Sequence, residues 1–249
     1  MDTTAPRSPS GQKLAGQKVV VLGGSAGIGL ETARLARAEG ADVILVGRDP
    51  DHLGQAAEEV GATGTAAFDA ADPERLQEFF GGLPGPVDHV MVTAGGNYYA
   101  RLADLDLAQA RKLVDEHLWL PVHLARAVIG RINPGGALLF MGGTGGRRPA
   151  LGLALPGALT AAQPLLIANL ALELDPIRVN AIAAGFVDTP LSARLLGDDL
   201  DKRREELRAN LPIHRVVQPS DVAALAIHLM VNTALTGATY DIDGGQQIV

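Results

Sequence analysis

Three glycines near the start of the chain, Gly23, Gly27 and Gly29, have the spacing of a phosphate cradle. They follow the apolar run KVVVL and precede a stretch with helical periodicity. Glycine in such a turn lets backbone amides approach a pyrophosphate, and the N-terminus of the next helix stabilises its charge. The glycines alone mean little; a strand before them and an amphipathic helix after them give the pattern its meaning. With Ser25 and Ile28 between the glycines, the loop reads as the binding turn of a dinucleotide. The position that reads the ribose lies about 20 residues further on, where the chain runs LVGRDP. Gly47 stands where an NAD-binding turn carries an acid, and Arg48 follows. A guanidinium suits a 2′-phosphate through paired hydrogen bonds, and Ser25 can donate to the same group. Asp49 argues the other way, but the balance favours NADP(H) over NAD(H). Asp69, at the end of the third strand, suits the cap of the following turn.

The groups that would move a proton beside such a cofactor are scarce. No serine stands between Ser25 and Ser192, no lysine between Lys112 and Lys202, and the only tyrosines are Tyr98, Tyr99 and Tyr240. A substrate carbonyl is normally protonated by a group whose pKa is tuned towards neutrality, and a phenol near 10 needs a cation to get there. Tyr98 and Tyr99 follow the fourth strand, at the sheet edge where ligands sit in open α/β folds; they read as proton donors or as pocket wall. His117 titrates near neutrality if exposed to substrate, and otherwise packs as a structural histidine. Thr144 can orient an oxygen but is no acid. Arg147 and Arg148 suit an anionic substrate or a solvated loop.

The elements that position these groups alternate strand and helix. Apolar strands are expected at Val19–Leu22, Val43–Val46, Thr65–Phe68, His89–Thr93, Ala137–Met141, Arg178–Ala183 and Thr239–Ile242. Helices are expected between them, including a long one over Leu107–Ile129 with a kink or close contact at Pro121, one over Leu159–Leu174, and a polar helical stretch over Leu191–Leu211. This alternation implies an α/β fold, a doubly wound parallel sheet of about seven strands covered by helices on both faces. Residues 16–249 read as a single domain, and residues 1–15 as a mobile tail without a signal peptide's apolar core. Composition agrees: 249 residues, 47% hydrophobic, with a net charge of −7 and no cysteine. These values exclude a thiolate metal site and a cysteine nucleophile, and argue against nucleic acid or an anionic membrane as partner. No apolar run reads as long enough to span a bilayer. A cytoplasmic protein acting on a small molecule is expected.

The loop spacing G-x-x-x-G-x-G resembles the cofactor loop of short-chain dehydrogenases/reductases, and the resemblance runs over about residues 16–249. Thr93-Ala94-Gly95 resembles that family's Asn-Ala-Gly element. Arg178-Val179-Asn180 with Gly185 and Thr189 resembles its sixth-strand segment, with Ala184 where a proline is usual, and Asp241-Ile242-Asp243-Gly244-Gly245 resembles its C-terminal motif. The resemblance implies a Rossmann-like fold and cofactor contacts from Ala94, Gly95, Asp69, Gly185 and Thr189, the last at the carboxamide; Thr189 also suits a helix N-cap before Pro190. It implies a substrate lid over 190–215 and a homodimer or homotetramer built on the fourth and fifth helical stretches. It places the family's catalytic serine, tyrosine and lysine on Gly143, Pro156 and Thr160, and its asparagine near His117. The implied function is an NADP(H)-dependent oxidoreductase with an unusual acid–base apparatus. A silent cofactor sensor or assembly protein, or a non-redox enzyme on the same scaffold, are the alternatives.

Overall fold

The computed structural model describes residues 11–249. Seven strands form one parallel sheet: β1 (Lys18–Leu22), β2 (Asp42–Gly47), β3 (Gly64–Ala67), β4 (Val87–Val92), β5 (Ile132–Gly143), β6 (Arg178–Ala184) and β7 (Thr239–Ile242). Their spatial order is β3-β2-β1-β4-β5-β6-β7. Leu22 at the end of β1 faces Val46 on one side and Val92 on the other. The order of connection reverses between β1 and β4, and that reversal opens a crevice beyond the strands' C-terminal ends.

Alternation along each strand divides the core into two layers. Val20 and Leu22 pack with Val90, Val92, Leu138 and Phe140 on one face, while Val19 and Val21 pack with Met91, Leu139 and Ile182 on the other. The first face is covered by α3 (Pro73–Gly82), α5 (Leu120–Ala127) and α6 (Ala154–Glu173), through Phe80, Leu124 and Ile167. The second is covered by α1 (Gly27–Ala38), α2 (Pro50–Val60) and α9 (Pro219–Val231), through Ala33, Ala56 and Val222. Strands apolar on both sides are what a parallel sheet between helix layers requires.

Several expectations need correction. The helical stretch over Leu107–Ile129 is α4 (Leu107–Val114) and α5 joined by a π-helical turn at Asp115–Trp119. Pro121 has no N–H for the carbonyl of His117 and its ring crowds that carbonyl, so the turn before it widens. Helix α6 begins at Ala154, ahead of the expected start, because Pro156 is tolerated in a first helical turn. It is also long and apolar enough to cross a membrane by length and composition, contrary to the expectation that no run was. Its Ile167 and Leu170 are buried on the sheet, however, so it serves as a layer of the fold. Residues 1–10 of the expected tail lie outside the described residues. Leu14 is fully buried, and its amide donates to Glu39 O at 2.9 Å, so the mobile tail does not extend to residue 15. The stretch after β6 is two helices, α7 (Pro190–Leu196) and α8 (Leu200–Asn210). Arg204 of α8 makes paired hydrogen bonds to Asp188, at 3.0 and 2.8 Å.

Candidate active site

One cavity of about 600 Å³ occupies the crevice beyond β1 and β4. Gly23, Ser25, Gly27, Ile28, Gly29, Arg48, Asp69, Ala94, Gly95, Gly185 and Thr189, the residues expected from sequence to hold a cofactor, all line it.

The glycine loop is pressed flat against the segment after β4. A Cβ on Gly23 would stand 2.6 Å from Ala94 N, and one on Gly29 would stand 2.2 Å from Gly23 O. Thr93 Oγ1 donates to Leu22 O and Gly23 O at 3.1 and 3.0 Å and holds the turn in place. The N-termini of α2, α3 and α4 are each capped by an aspartate, Asp49, Asp72 and Asp106. Ala26 at the cap of α1 has no side-chain acceptor, and the first turn of α1 has no acid. A helix start so arranged, behind a turn that tolerates no side chain, fits a pyrophosphate.

At the end of β2, Ser25 Oγ lies 3.3 Å from where a Gly47 side chain would begin. Arg48 is exposed on the cavity wall. Asp49 is turned to α2, where it accepts from the amides of Asp51 and His52 at 3.0 and 3.1 Å. The His52 amide holds its carboxyl below the ordinary carboxylate range. Asp69 accepts from the Ala71 amide at 3.0 Å, the turn-capping role, while still lining the cavity. Thr189 caps α7, accepting from the Ser192 amide at 3.2 Å, and it also lines the cavity.

The other end of the cavity is walled by Gly143, Thr144, Leu153, Pro156, Leu159 and Thr160. Thr160 spends its hydroxyl on Pro156 O and Gly157 O, at 3.0 and 3.1 Å. Thr144 is buried on the cavity wall. Of the tyrosine pair only Tyr99 lines the cavity. Crowding pushes its phenol above the ordinary pKa, so it is a neutral donor at physiological pH, with 55% of its surface still exposed. Tyr98 is a correction: its ring lines a separate apolar pocket of about 260 Å³, and its hydroxyl accepts from the Asp106 amide at 2.8 Å. Neighbouring residues in an irregular loop point apart, and sequence alone does not say which points inward. The arginines after β5 are engaged by the C-terminal segment. Arg147 pairs with Asp241 at 2.7 Å, and Arg148 donates to the carbonyls of Gln247 and Val249. Within the expected lid, Leu191 and Arg194 line the cavity, while Leu207 is buried with Leu211 and Val216.

His117 lines the cavity, and its Nε2 lies 2.9 Å from Gly96 O. A carbonyl oxygen only accepts, so Nε2 carries the hydrogen. Two further wall residues escaped the sequence reading. Glu116 Oε2 accepts from the Gly96 amide at 2.7 Å. Gln163 is buried; its Nε2 donates to Met141 O at 2.9 Å, and its Oε1 sits where a Gly142 side chain would begin. The signals were Pro121 four residues beyond His117, and a glycine facing a polar residue inside an apolar helix.

Residues 23–247 match the family model described as Enoyl-(Acyl carrier protein) reductase. A short-chain dehydrogenase/reductase of Stachybotrys chlorohalonatus is 28% identical, covering 93% of this chain and 97% of its own. An NADP-dependent (R)-specific alcohol dehydrogenase of Lentilactobacillus kefiri is 30% identical, covering 94% and 97%. The chain belongs to the short-chain dehydrogenase/reductase family. A solved small-chain dehydrogenase in complex with NADPH is similar to it at 28% identity with a TM-score of 0.80, over 94% of this chain and 99% of that one. Membership accounts for the sheet order and the cradle, and it makes this an oxidoreductase-family chain of Rossmann-like fold. The family's fold does not by itself name a reaction.

Proposed function

We propose that this protein is an NADP(H)-dependent reductase of small molecules, working in the cytoplasm, in which His117 takes over proton transfer. The observation that carries the reading is a single cavity joining an uncapped, side-chain-free phosphate turn to the one ring nitrogen of His117 that the protein leaves without a backbone partner among the described residues. Gly23, Gly27 and Gly29 would hold the pyrophosphate. Arg48 and Ser25 would hold the 2′-phosphate, since Asp49 is committed to α2. Thr189 and Gly185 would hold the carboxamide end. The bound dinucleotide supplies the hydride.

His117 keeps Nε2–H on Gly96 O and so meets substrate through Nδ1. Protonated at Nδ1, it donates one proton to the atom that gains charge. Tyr99 and Thr144 orient the substrate by neutral hydrogen bonds. The positions that resemble the family's serine, tyrosine and lysine carry Gly143, Pro156 and Thr160, which move no proton, so His117 is left as the single general acid, help worth about 10²–10⁴-fold. Substrates that need little help therefore suit the site best: imines, activated alkenes and quinone-like carbonyls. Incubation with NADPH and a panel of these, read by loss of nicotinamide absorbance, tests the reading. Turnover that falls in His117→Gln is expected. NADPH binding without turnover across the panel would sink it in favour of a cofactor sensor. Arg48→Ala should weaken NADPH by about 10–100-fold and leave NADH unchanged, the worth of a charge-assisted pair; equal losses for both would mean the 2′-phosphate is not read there.

The chain works as a homodimer or homotetramer in this reading. Leu165 and Leu172 on the outer side of α6 are 71% and 78% exposed, with Ala158, Ala161 and Ala162 beside them, and Trp119 is exposed on the preceding helical stretch. Small and apolar residues in one stripe suit close helix packing between copies.

A further inference from the structure

We infer that Glu116 is a positioning residue that locks the tautomer of His117 by holding Gly96, an inference that rests on the proton-transfer reading of His117. Gly95 and Gly96 have no side chains, and Gly95 has a φ of +128°, so this loop has little conformational preference of its own. Left alone, the Gly96 carbonyl is free to swing. The Glu116 carboxylate accepts the Gly96 amide at 2.7 Å, a charge-assisted bond made by a side chain only 9% exposed. That fixes the peptide plane before Gly96. His117 donates to the carbonyl of the plane after it, at 2.9 Å. Two successive side chains thus hold two successive peptides.

Consecutive residues on a regular α-helix point well apart. Here both lie in the π-helical turn Asp115–Trp119, where more residues per turn reduce the angle between neighbours. Lys112, one turn back, lies 3.8 Å from the other oxygen of Glu116 and helps to aim it. The consequence is chemical. With Gly96 O fixed, the Nε2–H tautomer is the only neutral form that satisfies both ring and carbonyl, and Nδ1 becomes the single site that gains or loses a proton. Without Glu116 the carbonyl moves, and either nitrogen can carry the hydrogen.

Long-range proton–nitrogen NMR of the full chain labelled on histidine nitrogens reads this directly, without any substrate. The protein has six histidines, so the His117 signals are assigned by their loss in His117→Gln. Recorded at alkaline pH, where the ring is neutral, the wild type is expected to give the well-separated shifts of a pure Nε2–H ring. Glu116→Ala should bring the two shifts together as the tautomers mix. Glu116→Gln keeps an acceptor oxygen and should restore the wild-type pattern, which a merely steric role for Glu116 would not require. A neutral wild-type ring with its hydrogen on Nδ1, an unchanged pattern in Glu116→Ala, or a Glu116→Gln spectrum as mixed as that of Glu116→Ala would each overturn the inference. Unfolding curves of the variants separate these outcomes from loss of fold. Should the lock hold while no substrate turns over, the catalytic reading fails and the lock stands; a mixed tautomer with active turnover gives the reverse.

Discussion

The two ends of the cavity are built by opposite means. At the end walled by the glycine turn the backbone forms the surface, and Gly23 and Gly29 leave no room for a side chain. At the substrate end side chains do the work, and the backbone's part is to hold them: Gly96 O holds His117, Met141 O holds Gln163, and Pro156 O holds Thr160. A site made of backbone tolerates no change of residue, because there is no atom to spare. A site made of side chains can change its chemistry while the scaffold stays as it is.

The sharpest way to break the comparison is Gly29→Ala. The new Cβ would lie 2.2 Å from Gly23 O and 2.4 Å from Thr93 Oγ1. Neither neighbour can retreat, since they are hydrogen-bonded to each other at 3.0 Å. Overpacking of this severity should cost about 4 kcal/mol of stability. NADPH affinity should fall at least about 100-fold, or roughly 3 kcal/mol. Urea unfolding and a cofactor titration check both. A variant that binds NADPH as the wild type does would mean the turn is not the cradle described.

The seam between the two ends is β4, and it has its own test. His89 is buried; its Nε2 meets Gln17 Oε1 at 2.7 Å, and its Nδ1 accepts from the Ala137 amide at 3.1 Å. It therefore ties the segment before β1 to β5. Burial, helped by the nearby Arg178 cation and opposed by Asp88, lowers its pKa from 6.5 to about 4. In the folded state this ring stays neutral where the unfolded ring is protonated. Between pH 6.5 and 4 the unfolded chain binds the extra proton, so stability is full above 6.5 and is lost as the pH falls towards 4. The difference amounts to about 3 kcal/mol. Unfolding free energies at pH 7.5 and 4.5 should differ by most of that, and His89→Gln should flatten the dependence. Among the described residues His117 has one such partner where His89 has two, and this leaves a ring nitrogen for the role proposed for His117.

The same distinction explains what the sequence revealed. The phosphate turn was legible because its requirements are local: glycines, a strand before and a helix after. The sheet and its two apolar layers followed from runs such as Val19–Leu22, whose residues are all buried. The place of Arg48 on the cavity wall was legible by its distance from the turn. What Asp49 does was not, because capping α2 or reading a ribose depends on the path of one loop. Tyr98 and Tyr99 are adjacent and chemically equal, and only the fold sends one to the cavity and the other to Asp106. Glu116 was hidden because its role needs the π-helical turn to bring it round to the side of His117, and the sole sign of that turn was a proline.

The smallest effect makes the last test. Gly143 stands at the substrate end in extended backbone, with φ −134°, and a Cβ there would meet nothing nearer than Thr160 Cγ2 at 3.5 Å, an ordinary contact. Gly143→Ser should therefore change stability by no more than about 0.5 kcal/mol. NADPH affinity should stay within about twofold of wild type, since the backbone that would hold the dinucleotide is untouched. What it adds is a further hydroxyl on the cavity wall, beside that of Thr144. If turnover on a carbonyl substrate rises while stability and cofactor binding hold, the substrate end is open to revision by single side chains. If instead Gly143→Ser unfolds the protein as Gly29→Ala should, the glycines at both ends serve the same purpose, and the contrast between them is false.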